Sequence, residues 1–406
     1  MQRRRFLRNA ALIAGGTLLS ARLSFAQPDT RKSRFVLVIL RGALDGLAAV
    51  PPLGDHHYAQ LRREFALHPP GEVGGALQLN GFFGLHPALV FLHECYAARE
   101  LIVLHALASP YRERSHFDGQ DVLENGTTRP HALQTGWLNR ALAALPAPGG
   151  REAGVSLGQN VPLVMRGPAA VTSWSPSKLV PPDDDTLARI TDLYAGDPLL
   201  AARLADALAA DAIAAGAHGT DSMTAPGTAA GSRSKARYAE VVRAAGGFLR
   251  REEGPKVAVF DTSGWDTHAN EGGAQGQLAG RLAELDAGLA ALRQELGPAW
   301  RDTAVLLLTE FGRTAAVNGT RGTDHGTATA AFLLGGAVAG GRVVADWPGL
   351  SPRELYQRRD LAPTLDVRSV LKGVLAEQLA VPAHVLELEV FPDSAAARAL
   401  RGLMRA

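Results

Sequence analysis

Five short runs of the chain are apolar at every position, which is the hydrophobic pattern of strands buried on both faces. A half-exposed strand would alternate apolar and polar residues, whereas these runs leave no position for a solvent-facing side chain. Continuous apolar strands are typical of a mostly parallel sheet with helices on both sides. The runs are residues 35–40 (FVLVIL), 101–104 (LIVL), 257–260 (VAVF), 304–308 (AVLLL) and 331–334 (AFLL).

Helical periodicity separates these runs. The clearest helix has leucines spaced alternately by four and three residues, which places them on one face. They are Leu278, Leu282, Leu285, Leu289, Leu292 and Leu296. We also predict helices over residues 186–215 and 235–251. Strands that alternate with helices indicate an α/β fold, and we expect a three-layer α/β/α sandwich around a mostly parallel central sheet.

Two segments have the composition of surface loops. Residues 216–234 are rich in Gly, Ala, Ser and Thr and contain little that could pack in a core. This composition favours a flexible loop, and residues 146–154 have a similar character. Candidate functional residues occur on both sides of residues 216–234. We therefore predict one domain over residues 27–406 rather than two domains joined by a linker.

The N-terminus has the three parts of a secretory signal. Arg3 and Arg4 belong to the charged segment RRRFLR, an apolar stretch follows over residues 10–19, and small residues lead to Ala26. This order indicates a signal peptide, and the arginine pair assigns it to the twin-arginine route. The apolar stretch is shorter than the roughly 20 residues of a membrane span. We expect residues 1–26 to engage the twin-arginine translocase and direct the protein to the periplasm or the exterior, with cleavage after Ala26 or retention as an anchor.

Charge and cysteine content narrow the function classes. The formal net charge is +2, and loss of the five arginines of residues 1–26, which contain no Lys, Asp or Glu, changes it to −3. A near-neutral chain without a basic run does not favour nucleic-acid binding. Cys95 is the single cysteine, so no internal disulfide can form. We expect no transmembrane segment in the mature chain and no nucleotide cofactor, because the sequence has neither a long apolar stretch nor a Gly-rich phosphate loop.

Polar residues with the chemistry of metal ligands or catalytic groups stand near the ends of the predicted strands. In parallel α/β sheets, the loops beyond the carboxyl ends of the strands form the binding site. Carboxylates and imidazoles are the donors that bind Zn²⁺ or a similar divalent ion. The candidate metal ligands are Asp45, Asp266, His268, Glu310, Asp324 and His325, and the candidate catalytic residues are Arg114, Ser115 and Arg313.

Each candidate also has an ordinary structural explanation. Asp45 precedes a glycine and could form a turn, and Ser115 could cap a helix. Glu310 could pair with Arg313, and the remaining acids and histidines could be hydrogen-bonded loop residues. Because several such coincidences at strand ends would have to occur together, the combined pattern favours one shared metal site. The other histidines fit ordinary surface or hydrogen-bonded roles: His56, His57, His86, His93, His105 and His131.

Longer segments resemble a known family. They are LRGALDGLAAVPPLGDHHY, RSHFDGQDVLENG, TGWLNRAL, DTSGWDTHANEG, TEFGRT, GTDHGTATAAFLLGG and RDLAPTLDVRSVL, and they span residues 40–371. This combination resembles the exported bacterial family numbered 1501 among the domains of unknown function, within the alkaline phosphatase-like superfamily. The resemblance implies a central mixed sheet between helical layers. It also implies one or two divalent ions and attack on phosphate or sulfate esters by a Ser, Thr or modified Cys.

The resemblance implies roles for four residues of the first segments and of the loop after VAVF. Asp45 is similar to the first-strand aspartate that binds metal, and Ser115 is similar to the nucleophile. Asp266 and His268 resemble the aspartate and histidine ligands that the superfamily has in the loop after one of its later strands. Here one residue separates that pair, which is a shorter spacing than in the superfamily motif.

Two further segments contain the remaining candidate metal ligands. Glu310 stands where the superfamily usually has an Asp-His pair, and Phe311 replaces the histidine. His325, before the run AFLL, resembles the final histidine ligand. Asp324 and His325 also resemble the Asp-His pair itself, so a second alignment of this region stays open.

The leading functional hypothesis is an exported metal-dependent hydrolase of phosphate or sulfate esters, acting on a small-molecule or glycan ester. One or two ions of Zn²⁺, Mn²⁺, Ca²⁺ or Mg²⁺ would activate Ser115 or a bound water. Arg114 or Arg313 would stabilise the charge that develops during the reaction. The alternative, motivated by Phe311, is a non-catalytic exported protein on the same fold that binds an envelope glycan or a partner protein.

Overall fold

The computed structural model covers most of the chain after its N-terminal segment. The described residues are 32–146, 152–177, 182–217 and 230–405. The predicted signal peptide, residues 1–26, lies outside them. So do residues 218–229 and 147–151, which make up most of the two predicted surface loops.

Within the described residues, nine strands form one mixed sheet, and two short strands form a separate antiparallel ribbon. The strands are β1 Arg34–Arg41, β2 Leu77–Gln78, β3 Gly84–Leu85, β4 Leu101–Ala108, β5 Gly154–Leu157, β6 Val171–Trp174, β7 Val257–Ser263, β8 Thr303–Leu308, β9 Thr329–Leu334, β10 Arg342–Val344 and β11 Leu365–Asp366. The order across the sheet is β10-β4-β9-β8-β1-β7-β5-β6, and β11 also pairs with β4. All five apolar runs are strands of this sheet, as predicted.

Eleven α-helices lie within the described ranges. They are α1 Gly46–Ala49, α2 Tyr58–Arg62, α3 Val90–Ala97, α4 His116–Asn125, α5 Trp137–Ala143, α6 Asp184–Tyr194, α7 Pro198–Ala217, α8 Ala230–Leu249, α9 Gln277–Leu296, α10 Val367–Gln378 and α11 Ala383–Val385. Short 3₁₀ turns occur at Arg63–Phe65, Leu163–Met165 and Gly297–Asp302, and a π turn at Leu386–Val390. None of the helices in these ranges is long and apolar enough to cross a lipid bilayer.

Two of the three helix predictions need corrected bounds. The predicted helix over residues 186–215 is two helices, α6 and α7, because Pro198 has no N–H to continue the first of them. Asp197 then caps α7, since its Oδ1 accepts hydrogen bonds from the backbone N of Leu199 and Leu200 at 2.9 and 3.1 Å. The helix predicted over 235–251 begins at Ala230 instead, within the segment expected to be a loop.

Helices cover both faces of the sheet, and each face has its own hydrophobic core. Residues 35–40 of β1 show the division, because each is at most 1% exposed and successive side chains point to opposite faces of the sheet. Val36, Val38 and Leu40 point into the core formed with α3, α8 and α9. The residues between them enter the second core, with α5 and α10. Such strands have no polar face, which is why their sequence is apolar at every position.

The strand directions gather several loops at one edge of the sheet. β1 is parallel to β7 and β8, and β5 is parallel to β7. β9 is antiparallel to both β8 and β4. The start of β9 therefore lies at the same edge as the carboxyl ends of β1, β4, β7 and β8, and the loops attached there can meet.

Candidate metal centre

Three histidines and one aspartate meet at this edge of the sheet. His116 opens α4, the helix after β4, and Asp266 and His268 lie in the loop after β7. His325 lies between β8 and β9, in a segment that pairs antiparallel with Arg313. His116, Asp266, His268 and His325 are called the histidine cluster below.

The four side chains present their nitrogen and oxygen atoms to one another at short range. Asp266 Oδ1 lies 3.0 Å from His268 Nε2 and 3.2 Å from His325 Nε2. The Nε2 atoms of His268 and His325 are themselves 3.0 Å apart. Asp266 Oδ2 lies 3.4 Å from His116 Nε2. One atom each from His116, Asp266 and His325 falls within 4.8 Å of the other two, as the ligands of a single ion would.

In every histidine of the cluster, Nδ1 faces an oxygen acceptor outside the cluster. Carboxylate and carbonyl oxygens accept hydrogen bonds and do not donate them, so each Nδ1 carries a hydrogen, and a ring that has lost its Nε2 proton presents the Nε2 lone pair to a metal. Proteins orient metal-binding histidines in this way. The pairs are His116 with Glu310 Oε1 at 2.8 Å, His268 with Asp324 Oδ1 at 3.2 Å, and His325 with the Arg114 carbonyl oxygen at 2.9 Å.

Glu310 is the buried partner of His116. Its Oε1 also accepts hydrogen bonds from Gln120 Nε2 at 3.0 Å and from the backbone N of Gly42 at 2.9 Å, while Thr309 Oγ1 donates to its Oε2. Burial by itself raises the pKa of Glu310, but the hydrogen bonds from His116 and Gln120 outweigh burial and hold the pKa below its ordinary value. The hydrogen bond to Glu310 in turn raises the pKa of His116.

Asp266 is fixed by Arg313, whose side chain is fully buried. Arg313 Nη1 donates to Asp266 Oδ1 at 2.5 Å, and its other nitrogens bind Thr323. Burial by itself raises the pKa of Asp266, but the hydrogen bond and charge of Arg313 outweigh burial and keep the pKa low. Gly42 lets the end of β1 approach, because a Cβ there would lie 2.8 Å from the backbone N of Asp266. The aspartate is therefore ionised and held in one place.

The geometry fits a divalent ion with tetrahedral preference. The Nε2 atoms of His268 and His325 face each other at 3.0 Å, a contact that a shared proton or a metal ion stabilises. Ligands about 2.0–2.1 Å from Zn²⁺ at tetrahedral corners are about 3.3 Å apart. His116 Nε2 is buried and has no hydrogen-bond partner among the described residues. The Asp266 and His268 side chains are 41% and 46% exposed, so the cluster is open to solvent on one side.

The structure brings three of the six predicted metal ligands into the cluster: Asp266, His268 and His325. Glu310 and Asp324 lie next to the cluster, and each accepts a hydrogen bond from the Nδ1 of a cluster histidine. The hydrogen bonds from His116, Gln120, Gly42 and Thr309 occupy both carboxylate oxygens of Glu310, which makes it an orienting group for His116.

Asp45 is engaged in a different buried group. Its Oδ1 accepts from the backbone N of Ala48 at 3.0 Å, which caps α1, and its Oδ2 accepts from Arg62 Nη2 at 2.5 Å. Burial opposes ionisation of Asp45, and the Arg62 charge outweighs it, so the pKa of Asp45 is lowered. Burial, together with the Asp45 charge, raises the pKa of the adjacent Glu271 to about 8. The predicted role of Asp45 as a metal ligand does not match these contacts, because its oxygens already have an N–H and a guanidinium as partners.

The predicted catalytic residues lie around His116 and His325 with different contacts. The Arg114 side chain binds Asp360 at 2.8 Å, so only its backbone carbonyl faces the cluster. Arg313 is likewise committed to Asp266 and acts as a positioning residue rather than as the charge-stabilising group expected from the sequence. Ser115 directly precedes His116 at the start of α4, is half-buried, and makes no capping hydrogen bond with its side chain.

His116 was missed by the sequence reasoning, although its segment was noted. Ser115 offered the hydroxyl that the family resemblance implies, and His116 reads as an ordinary first-turn helix residue. Phe311 is the residue that could have pointed to His116. Its ring stacks on His116 with centroids 5.0 Å apart and lies 5.3 Å from the ring of His325. An aromatic residue where a histidine was expected thus packs against two histidines of the cluster.

A comparison with protein-family models assigns the chain to a family. The family model described as "protein of unknown function (DUF1501)" matches residues 104–389, well over half of the chain, and the protein belongs to this family. The match includes all four residues of the histidine cluster and begins after β1 and Asp45. No curated protein matches the chain.

Proposed function

We propose that the protein is an exported, metal-dependent hydrolase of phosphate or sulfate esters with an alkaline phosphatase-like fold. The observation that carries the proposal is the histidine cluster: one ligand atom each of His116, Asp266 and His325 lies within 4.8 Å of the other two, and His268 Nε2 lies 3.0 Å from Asp266 Oδ1 at the solvent-open side. Three protein ligands leave the fourth position of a tetrahedral ion open for a hydroxyl or an ester oxygen. The mostly parallel sheet, with this point at the carboxyl ends of its strands, supports the choice of fold. The twin-arginine pattern of residues 1–26 supports export to the periplasm or the exterior.

The donor set favours Zn²⁺ among the divalent ions. Imidazole nitrogens with one carboxylate suit zinc, whereas Mg²⁺ and Ca²⁺ prefer oxygen ligands throughout. A zinc ion bound here would act as a Lewis acid toward an ester oxygen and would make a coordinated hydroxyl acidic near neutral pH. One ion suffices for the cluster, because Glu310 and Asp324 are already bound to its histidines.

The protein's own residues prepare the site in three ways. Glu310 and Asp324 hold the rings of His116 and His268 so that their Nε2 atoms stay directed at Asp266. Arg313 keeps Asp266 ionised and in place. The ring of Phe311 covers the inner side of the cluster, so an ester approaches from the exposed side.

Two groups can supply the attacking oxygen. Ser115 is adjacent to His116, and its hydroxyl is free of the capping bond that commonly occupies a serine at this position. A water molecule on the exposed side is the other source. A Ser115→Ala variant distinguishes them, since a serine nucleophile forms a covalent intermediate whereas attack by water does not.

The experiment uses the exported protein purified from its host. Metal content is measured first, and the protein is then assayed with para-nitrophenyl phosphate, bis-para-nitrophenyl phosphate and para-nitrophenyl sulfate. We expect bound zinc and turnover of at least one ester. His116→Ala and His325→Ala should each lose the metal and lower kcat/KM by about a hundredfold or more.

His93→Ala is the matched control, because His93 is a histidine whose Nε2 contacts only the carbonyl oxygen of Gln78 at an exposed position. It should keep both metal and activity. Wild-type protein that binds no divalent ion, or cluster variants with wild-type kcat/KM, would overturn the proposal.

A non-catalytic binding protein is the second candidate. Phe311, packed on His116 and His325, fills a place where a metal-binding histidine is expected, and Asp45 is bound to Arg62. A site reduced in this way can bind a metal or a glycan without turnover. Bound zinc with no hydrolysis of any of the three esters would favour this candidate.

A further inference from the structure

A polar cleft borders the histidine cluster. It has a volume of about 710 Å³ and lies beyond the carboxyl ends of β1, β5 and β7, with α4, α8 and α9 forming its other walls. This volume is within the roughly 300–1,000 Å³ of small-molecule binding sites. Its lining is more polar than apolar: hydroxyl, amide, carboxylate and guanidinium groups stand beside apolar residues such as Leu157 and Leu163.

The cleft and the cluster share a wall. Gln120 lines the cleft and donates to Glu310 Oε1, the oxygen that also holds His116. On the cleft side, the oxygen of the Gln120 amide accepts from Arg41 Nη1 at 3.0 Å. Phe117, another lining residue, directly follows His116 on α4. A molecule in the cleft therefore lies next to the cluster.

The charges of the cleft balance. Its arginines are Arg41, Arg166, Arg237 and Arg281, and its acids are Asp121, Glu124, Asp261 and Glu284. Arg41 is shared between Glu124 at 2.8 Å and Asp261 at 2.5 Å, and Arg281 contacts Glu284 at 3.3 Å. Such a surface has no net attraction for a polyanion, and its polar lining disfavours a lipid tail. It suits a neutral molecule with many hydroxyl groups.

Two side chains in this cleft remain unexplained by the fold. Phe117 is 87% exposed, although it lies at the mouth of a site. An exposed aromatic ring in this position offers a flat face on which a sugar ring can stack. Tyr238 also lines the cleft, and its Oη is shielded from solvent without a hydrogen-bond partner among the described residues. An atom that is shielded from solvent cannot contact a molecule in the cleft, so Tyr238 contributes only its ring to the wall.

We propose that this cleft binds the saccharide part of a phosphate or sulfate ester and places the ester group at the histidine cluster. The assignment of the saccharide follows from the cleft itself, whereas the position of the ester group rests on the proposed function. Gln120 and Gln159 would bind sugar hydroxyls, and the ring of Phe117 would stack on the sugar nearest the ester.

The test compares sugar esters with sugar-free esters on the purified exported protein. N-acetylglucosamine sulfate and glucose phosphate are the sugar esters, and para-nitrophenyl sulfate and phosphate are the sugar-free esters. We expect Phe117→Ala to lower the ratio of kcat/KM for sugar ester over sugar-free ester by about tenfold, since loss of one stacking contact is worth roughly a factor of ten in binding. Val73→Ala is the control, because Val73 is also a fully exposed apolar residue but does not line the cleft.

Tyr238→Phe is the second variant and serves as a control within the cleft wall. It should leave both the calorimetric binding of uncharged chitotetraose and the thermal stability of the free protein unchanged or higher, because it removes a hydroxyl that has no partner among the described residues and is shielded from the cleft. A variant that damaged the fold would lower both. Calorimetry on Phe117→Ala with the same tetrasaccharide gives a measurement independent of turnover.

The outcomes separate the two proposals. Turnover of sugar-free esters, with no selectivity change in Phe117→Ala and no chitotetraose binding, overturns the saccharide cleft and leaves the hydrolase proposal standing. Chitotetraose binding that is weakened by Phe117→Ala but not by Tyr238→Phe, with no turnover of any ester, supports the cleft and overturns the hydrolase.

Discussion

At the scale of single residues, His105 shows how a buried histidine can be fully satisfied and still affect stability. It lies in β4 with no solvent exposure. Its Nε2 donates to the carbonyl oxygen of Val50 at 2.9 Å, and its Nδ1 accepts from the backbone N of Ala106 at 2.8 Å. Both bonds need the neutral ring, because a protonated Nδ1 would face the Ala106 N–H. Burial lowers the pKa of His105 to about 4.

This pKa predicts a loss of stability in mild acid. The unfolded chain binds a proton at His105 near pH 6.5, whereas the folded chain does not until about pH 4. The free energy of unfolding should fall as pH drops between these values, by as much as about 3 kcal/mol for this group. Urea unfolding of wild type and His105→Leu at several pH values measures it. The variant should show a flatter dependence over this range.

His68→Leu is the control for that series, because its side chain is 68% exposed. It should keep the pH dependence of the wild type. Identical slopes for His105→Leu and wild type would contradict the assignment of the acid sensitivity to His105.

The residue types at strand ends indicated which residues lie near the candidate site, but not which of them are placed as ligands. Asp266, His268 and His325 lie in the cluster, but Glu310 looked equally suited as a ligand. A carboxylate that binds a metal and one that binds the Nδ1 of a ligand histidine have the same sequence pattern. The distinction depends on a few ångströms between chain segments that are nearly two hundred positions apart, as in the contact of His116 with Glu310.

At the scale of elements, the cluster depends on two loops that touch through their backbones. Gly322, in the segment before β9, lies so close to the loop after β7 that a Cβ would stand 2.3 Å from the carbonyl carbon and oxygen of His268. The neighbouring Thr323 donates its backbone N–H to the carbonyl oxygen of Thr267 at 3.1 Å. The position of the His268 imidazole is therefore set by how closely these loops approach.

A methyl group at Gly322 should displace His268. We expect Gly322→Ala to weaken zinc binding by about tenfold or more, the usual effect of disturbing the supports of a metal ligand. Gly319→Ala in the same loop is the control, because nothing lies within 4 Å of its Cβ position. Competition with a fluorescent zinc chelator measures both affinities. Equal affinities for the two variants would show that the loop contact does not position His268.

Patterns of apolar residues predicted the existence of the main strands but not their direction. A strand buried on both faces reads the same whether it runs parallel or antiparallel, so the sequence of β9 contains no sign that it opposes β8. That direction brings His325 to the edge where β1 and β7 end. By contrast, the break between α6 and α7 could have been predicted from Pro198.

At the scale of the whole molecule, the first strand pairs only with strands from the second half of the described residues. β1 begins at Arg34, a few residues after the predicted signal peptide, and occupies the centre of the sheet between β7 and β8. The histidine cluster likewise draws its residues from positions 116 to 325. Neither the sheet nor the cluster can form until most of the chain has been made. Under the proposed function, a metal loaded before export would require the transport of a folded protein, which a twin-arginine signal would provide.

This link between export and folding gives the last prediction. Replacing both Arg3 and Arg4 with Lys keeps the charge of the signal but removes the arginine pair, so the precursor should accumulate in the cytoplasm. There it should be protease-resistant and should contain zinc, because the sheet and the cluster form without export. A variant with Lys at Arg8 and Arg22 carries the same number of replacements and should be exported normally. Cell fractionation with metal analysis of the purified precursor tests this, and an unfolded or metal-free precursor would mean that the metal is acquired only after export.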